Sequence, residues 1–69
     1  MEEERTMDLL TALEEALQEE VEAQKKYREA AAQAADPETR LLFEQLAREE
    51  EQHEKRIRER IKAVKLLGY

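Results

Sequence analysis

The residue types best suited to chemistry in this sequence are one histidine and two glutamates. His53 is the only histidine, and Glu50 lies three residues before it. Residues at this spacing on a helix point to the same side, so a carboxylate and an imidazole there can hold one metal ion. The sequence contains no cysteine, which excludes disulfides, thiolate zinc sites and iron–sulfur clusters. Oxygen ligands with one imidazole suit iron or manganese and are atypical of structural zinc.

Two long helices joined by a short turn are predicted to position these residues. The pair Asp36-Pro37 is the one interruption, and Asp at the N-cap followed by Pro at the first helical position is typical of a helix start. We predict a first helix over about 6–35 and a second over about 37–67, ended by Gly68. So short a connection makes the helices antiparallel. The fold class is therefore all-α, with a single helical-hairpin domain over residues 1–69.

Each predicted helix carries an apolar stripe that polar residues interrupt near its middle. The first stripe passes through Glu20 and Gln24, and the second passes through Glu50 and His53. In an antiparallel hairpin with this turn, the numbers of facing residues sum to roughly 73. Glu20 is then predicted opposite His53, with Gln24 near Glu50. For Gln24 two roles are open: it fixes the register of the bundle, or it donates a hydrogen bond to a ligand.

The composition is acidic and highly charged. Asp and Glu number 18 against 12 Lys and Arg, which gives a formal net charge of −6. Nucleic acids and anionic membrane surfaces are disfavoured as partners, because both attract a basic face. No apolar run resembles a membrane span or a signal peptide, so we expect a cytoplasmic protein.

A single hairpin would leave part of each apolar stripe facing water. Two copies related by a two-fold axis would close a four-helix bundle and cover the stripes, so we expect a homodimer. The bundle would bring Glu20, Glu50 and His53 of both copies to one buried level. Four ionised carboxylates need compensation in a low-dielectric interior. Two divalent cations balance them when both imidazoles are neutral, so the charges predict two metal ions per dimer.

Longer strings around these residues resemble the rubrerythrin branch of the ferritin-like superfamily. In that branch a helical Glu is followed seven residues later by Tyr, as Glu20 is by Tyr27 here. An Asp-Pro-type turn, a Leu-Phe-x-x-Leu-Ala segment (residues 42–47) and Glu-x-x-His come next. The resemblance extends from about residue 9 to residue 61. It implies a half-length member that completes a ferritin-like four-helix bundle by homodimerisation, as encapsulated ferritins do.

The same resemblance implies a role for each residue. Glu20 would be a terminal or chelating ligand, Glu50 would bridge two iron ions, and His53 would be the nitrogen ligand. Tyr27 lies two turns from Glu20 on the same helix face and would support the ligands by hydrogen bonding. The sequence given has neither the further helix and targeting tail of encapsulated ferritins nor the Cys-rich rubredoxin domain of full rubrerythrins.

Together these residues predict a non-haem diiron protein that binds two iron ions per dimer and oxidises Fe(II) with oxygen or peroxide. Manganese or another divalent ion would suit the same ligands. Glu19 and Glu22 are either solvated surface carboxylates or, as in encapsulated ferritins, an outer metal-entry site; that likeness also implies a location inside a protein compartment. Two other functions stay open: a non-catalytic metal-binding bundle or iron buffer, and a helical interaction module without metal.

Overall fold

The structure, a computed structural model, describes residues 8–68. Two antiparallel helices account for nearly all of these residues. Helix α1 spans Leu9–Gln33 and helix α2 spans Pro37–Leu67. Within these residues there is no strand, so the prediction of an all-helical, two-helix chain is confirmed. Neither helix combines the length and apolar composition that a membrane-spanning segment needs.

The start of α1 is set by a cap that the sequence analysis overlooked. The Oδ1 atom of Asp8 accepts hydrogen bonds from the backbone N–H groups of Leu10 (3.1 Å) and Thr11 (3.3 Å). Its Oδ2 accepts from the Thr11 hydroxyl at 2.9 Å. An N-cap residue has an extended backbone, and Asp8 has φ −74° and ψ 104°. The helix therefore begins at Leu9 rather than near Thr6, and Thr6 itself lies outside the described residues.

The end of α1 comes earlier than predicted. The helix ends at Gln33, whereas the sequence analysis extended it to Ala35. Because Pro37 excludes the helical conformation from the residue before it, Asp36 is extended, with φ −111° and ψ 152°. Ala34 is extended as well, with φ −67° and ψ 131°. The chain needs these additional extended residues to reverse direction and bring the second helix alongside the first.

Helix α2 has well-defined caps at both ends. Asp36 accepts a hydrogen bond from the backbone N–H of Thr39 at 2.8 Å, and Pro37 occupies the first turn. At the other end Gly68 adopts the left-handed conformation with φ 76°, which glycine reaches without steric cost. These caps fix where the helix starts and stops.

The interface between the helices is thin. Among the described residues only Gln24, Ala31, Ala47 and Val64 are buried, and no large side chain is fully enclosed. The Tyr27 and Phe43 rings stack with centroids 6.1 Å apart. Several large apolar side chains stay at least half exposed: Leu9, Leu41, Leu42, Leu66 and Leu67. One layer of two helices thus leaves much apolar surface uncovered.

Candidate metal centre

The three predicted ligands lie together in the middle of the hairpin. Glu20 on α1 and Glu50 and His53 on α2 each offer one ligand atom, and these atoms lie within 4.8 Å of one another. The Nδ1 atom of His53 is 3.1 Å from Glu50 Oε1 and 3.4 Å from Glu20 Oε1. The structure therefore brings together one carboxylate from the first helix with a carboxylate and an imidazole from the second.

Glu20 has an oxygen atom with unmet bonding capacity. Its Oε1 is shielded from solvent and has no hydrogen-bond partner within residues 8–68. The nearby His53 Nδ1 is close enough for an ionic contact but is not aligned for a hydrogen bond to this atom. A shielded carboxylate oxygen without a donor is costly, and a cation removes that cost. The donor set of two carboxylates and one imidazole fits iron or manganese.

The cluster lies on an uncovered face of the hairpin. His53 is 48% exposed, whereas Glu20 and Glu50 are 24% and 20% exposed. An open groove of about 650 Å³ begins at Glu20 and His53 and continues along α2. Its lining includes apolar Leu13, Ile57 and Ala63 together with Arg56 and Arg60. Glu20 and His53 thus line an open groove whose wall is partly apolar.

A comparison with protein families identifies a family for this chain. The family model described as Rubrerythrin matches residues 11–67, which contain both helices almost entirely and all three ligand candidates. The chain belongs to the rubrerythrin family. The resemblance inferred from the residues is thereby confirmed. No curated protein and no solved structure matches the chain.

In this rubrerythrin-family chain, Gln24 lies beside the cluster but turns its amide to another residue. Its side chain is buried, and Nε2 donates to Glu54 Oε1 at 2.5 Å and, more weakly, to the backbone carbonyl of Glu50 at 3.5 Å. Glu54 Oε2 also accepts from Arg58 Nε at 2.7 Å. The hydrogen bond from Gln24, followed by that from Arg58, holds the pKa of Glu54 below its ordinary value.

Glu54 is the residue that sequence reasoning missed. The predicted contact of Gln24 with Glu50 is made only through the Glu50 backbone, and the stronger bond goes one helical turn further along α2. A signal was present, since Glu54 and Arg58 have the spacing of an ion pair on one helix face. That pairing marks Glu54 as a structured carboxylate rather than a solvated one.

Tyr27 lies about one helical turn after Gln24 on α1 and is held by packing. Its ring stacks on Phe43 at an interplanar angle of 28°, and Lys26 Nζ lies 5.5 Å from the ring centroid. These contacts fix the plane of the ring. A hydrogen bond from its hydroxyl to a ligand stays a prediction.

Glu19 and Glu22 are both exposed on α1. Glu22 accepts a hydrogen bond from Gln18 Nε2 at 3.1 Å. Neither belongs to the group of converging ligand atoms found among residues 8–68. An outer metal-entry site at these two carboxylates therefore stays a prediction.

Proposed function

We propose that this rubrerythrin-family chain binds iron through Glu20, Glu50 and His53 and oxidises Fe(II) with oxygen or peroxide as a homodimer. The observation that carries the proposal is the shielded Oε1 of Glu20, which has no hydrogen-bond partner among the described residues and lies 3.4 Å from His53 Nδ1. Membership of the rubrerythrin family supports iron as the metal.

The half-exposed imidazole supports a second copy of the chain as the remainder of the centre. One hairpin offers three ligand atoms and leaves His53 48% exposed at the edge of a groove. A second hairpin on this face would cover the groove and supply the same three ligands again. The resulting four carboxylates balance the charge of two ferrous ions with both imidazoles neutral. The dimer would thus bury the ligands and their compensating charge together.

The chain's own residues favour the oxidised product. The negative charges of Glu20 and Glu50 stabilise ferric more than ferrous iron, because the attraction grows with the charge of the ion. His53 adds a nitrogen donor, and Leu13 and Ile57 form apolar parts of the groove wall. Fe(II) is the reductant. Two ferrous ions would each give one electron to hydrogen peroxide and become ferric, and the peroxide would take up two protons from solvent to become two water molecules.

Stopped-flow absorption of protein loaded anaerobically with Fe(II) tests this proposal. On mixing with oxygen or peroxide, a near-ultraviolet ferric band should grow faster with the wild-type protein than with free Fe(II). Glu50→Ala and His53→Ala should remove this acceleration. Glu44→Ala is the control, because Glu44 is exposed on the same helix and is rotated far from the face of His53.

Two results would contradict the proposal. Wild-type protein that binds iron without accelerating its oxidation is a non-catalytic iron-binding bundle. Wild-type protein that binds no iron is a helical interaction module, and the cluster then has no metal function.

A further inference from the structure

Gln24 is the one polar residue that is buried among the described residues, at 6% exposure. It lies one helical turn after Glu20 on α1, and its amide spans to α2 rather than to its own helix. A leucine or methionine at this position would fill similar space and would cost less to bury. The amide therefore calls for an explanation other than stability.

The apolar packing between the helices only weakly fixes how far one helix is shifted along the other. The buried apolar residues are two alanines and one valine, Ala31, Ala47 and Val64. Small side chains make shallow ridges, which resist sliding less than large ones do. The Tyr27–Phe43 stack also crosses between the helices, but aromatic pairs tolerate centroid separations of about 4.5–7 Å and so fix no single position. The ion pair of Arg28 with Glu51 also crosses between the helices, but both side chains are about half exposed. Solvent-exposed pairs of this kind contribute little.

The hydrogen bond from Gln24 to Glu54 is directional and therefore sensitive to sliding. A slip of one residue moves a helix by about 1.5 Å along its axis, which is enough to break a 2.5 Å hydrogen bond. Arg58 holds Glu54 from the other side, at 2.7 Å, so the acceptor is itself fixed. A single buried polar residue is known to set the register of helical bundles in this way.

We propose that the pair Gln24–Glu54 is a positioning element, which locks the axial register of α1 against α2 and so holds Glu20 opposite Glu50 and His53. The inference rests on the proposed metal binding for its functional consequence. The register itself does not depend on metal. Glu54 lies one turn from Glu50 on α2, as Gln24 lies one turn from Glu20 on α1, so locking the first pair also fixes the separation of the ligands.

Cobalt(II) titration, followed by visible absorption, tests the consequence for metal binding. Gln24→Met removes the amide with little change in volume and should weaken cobalt affinity about tenfold, as loss of a residue that orients metal ligands does. Its thermal midpoint should change little, because the cheaper burial of an apolar side chain offsets the lost hydrogen bond. A role in stability alone would instead lower the midpoint. Gln45→Met is the matched control, because Gln45 is exposed on α2.

Swapping the amide and the carboxylate between positions 24 and 54 tests whether the hydrogen bond itself, rather than either residue type, is responsible. Gln24→Glu alone sets two carboxylates against each other and should also weaken cobalt binding. Combining it with Glu54→Gln restores an amide–carboxylate bond across the helices, so the double variant should recover affinity to within about threefold of wild type, well above the expected tenfold loss. Wild-type affinity in Gln24→Met, or no recovery in a folded double variant, would overturn the proposal.

The register can also be measured without metal. Because the chain has no cysteine, spin labels can be placed at introduced cysteines replacing the exposed Glu15 and Glu44. When labelled chains are diluted with excess unlabelled chains, the two labels report one distance along the hairpin axis. This distance distribution should be narrow in the wild-type background and broad or shifted with Gln24→Met. An unchanged distribution would overturn the register claim. Absent cobalt binding by wild-type protein would instead overturn the proposed function, so the two failures are distinguishable.

Discussion

Glu20 Oε1 on α1 lies 3.4 Å from His53 Nδ1 on α2, shielded from solvent and without a hydrogen bond from any described residue. The hairpin thus encloses an oxygen atom that the protein itself does not satisfy. Such an atom lowers the stability of the metal-free protein. If a metal ion binds this oxygen, a substitution that removes the carboxylate should raise the stability of the metal-free protein and weaken metal binding.

Replacing Glu20 with glutamine should reveal that opposition. The amide would keep the shape of the side chain and remove the charge, so the metal-free variant should be more stable than wild type by about 1 kcal/mol. Calorimetry should also show that Fe(II) or Co(II) raises the midpoint of wild type and not of Glu20→Gln. Glu15→Gln serves as the control, because Glu15 is exposed on the same helix. A metal-free Glu20→Gln protein less stable than wild type would contradict this reading.

Two adjacent leucines provide a matched pair for the proposed dimer. Leu42 and Leu41 are 51% and 50% exposed, so they differ little in the hairpin itself. Helical spacing places Leu42 on the face of His53 and Arg60, which line the groove, whereas Leu41 is rotated about 100° away. Leu42→Lys should weaken dimerisation at least tenfold, or about 1.4 kcal/mol, because a charge would be buried.

Sedimentation measures this difference directly. Leu41→Lys should leave the dimer dissociation constant close to that of wild type. Equal weakening by both substitutions would show that the face bearing the ligands is not the one that associates.

Much of the fold and the level of the cluster followed from the sequence. Asp36 and Pro37 mark the turn, and a hairpin with one short turn sets, to within about one helical turn, which residues lie at equal height. Glu20, Glu50 and His53 were therefore expected to meet, and the structure brings them together. The homodimer stays a prediction, because a single chain does not display its partner.

The finer contacts did not follow, for a geometric reason. Residues that lie level along the hairpin can still point in different directions, because each helix can be rotated about its own axis. That rotation decides whether the side chain of Gln24 reaches Glu50 or Glu54. The early end of α1 was missed because helix propensity favours continuing through Ala34 and Ala35, whereas the extended residue before Pro37 requires a longer link. The helix propensity of Ala34 and Ala35 is therefore outweighed by the extended conformation that the chain needs to reverse direction.

The cap of α2 predicts a dependence of stability on pH. The backbone hydrogen bond from Thr39, followed by that from its side chain, lowers the pKa of Asp36 below its ordinary value. A carboxyl group with a lowered folded pKa stabilises the protein above its unfolded value of about 3.9. This stabilisation is lost as the pH falls through the lower, folded value.

Asp36→Asn should therefore flatten the acid side of the stability curve. Asn caps helices about as well as Asp but does not titrate, so the thermal midpoint near neutral pH should change little. Circular dichroism melts between about pH 2 and 6 would measure the slope around the ordinary Asp pKa. Glu44→Gln is the comparison at an exposed position. If the thermal midpoint of Asp36→Asn depended on pH as steeply as that of wild type, the Asp36 cap would not be the source of the pH dependence.

Tyr27 allows its ring and its hydroxyl to be tested separately. Tyr27→Phe keeps the stack on Phe43, so the free energy of unfolding should change by less than about 0.5 kcal/mol, whereas Tyr27→Ala should lose about 1 kcal/mol beyond the buried area. If the hydroxyl supports the ligands, Tyr27→Phe should slow iron oxidation about tenfold. Denaturant unfolding and stopped-flow absorption give the two numbers. An unchanged oxidation rate would assign Tyr27 to packing alone.

The central claim is that two chains share one pair of metal ions through Glu20, Glu50 and His53. Native mass spectrometry of protein loaded anaerobically with Fe(II) measures chain and metal number in a single spectrum. For this 8.2 kDa chain, we predict a two-chain species that carries two iron ions, and loss of those ions in His53→Ala. Single chains without iron, or a two-chain species whose iron survives His53→Ala, would contradict it.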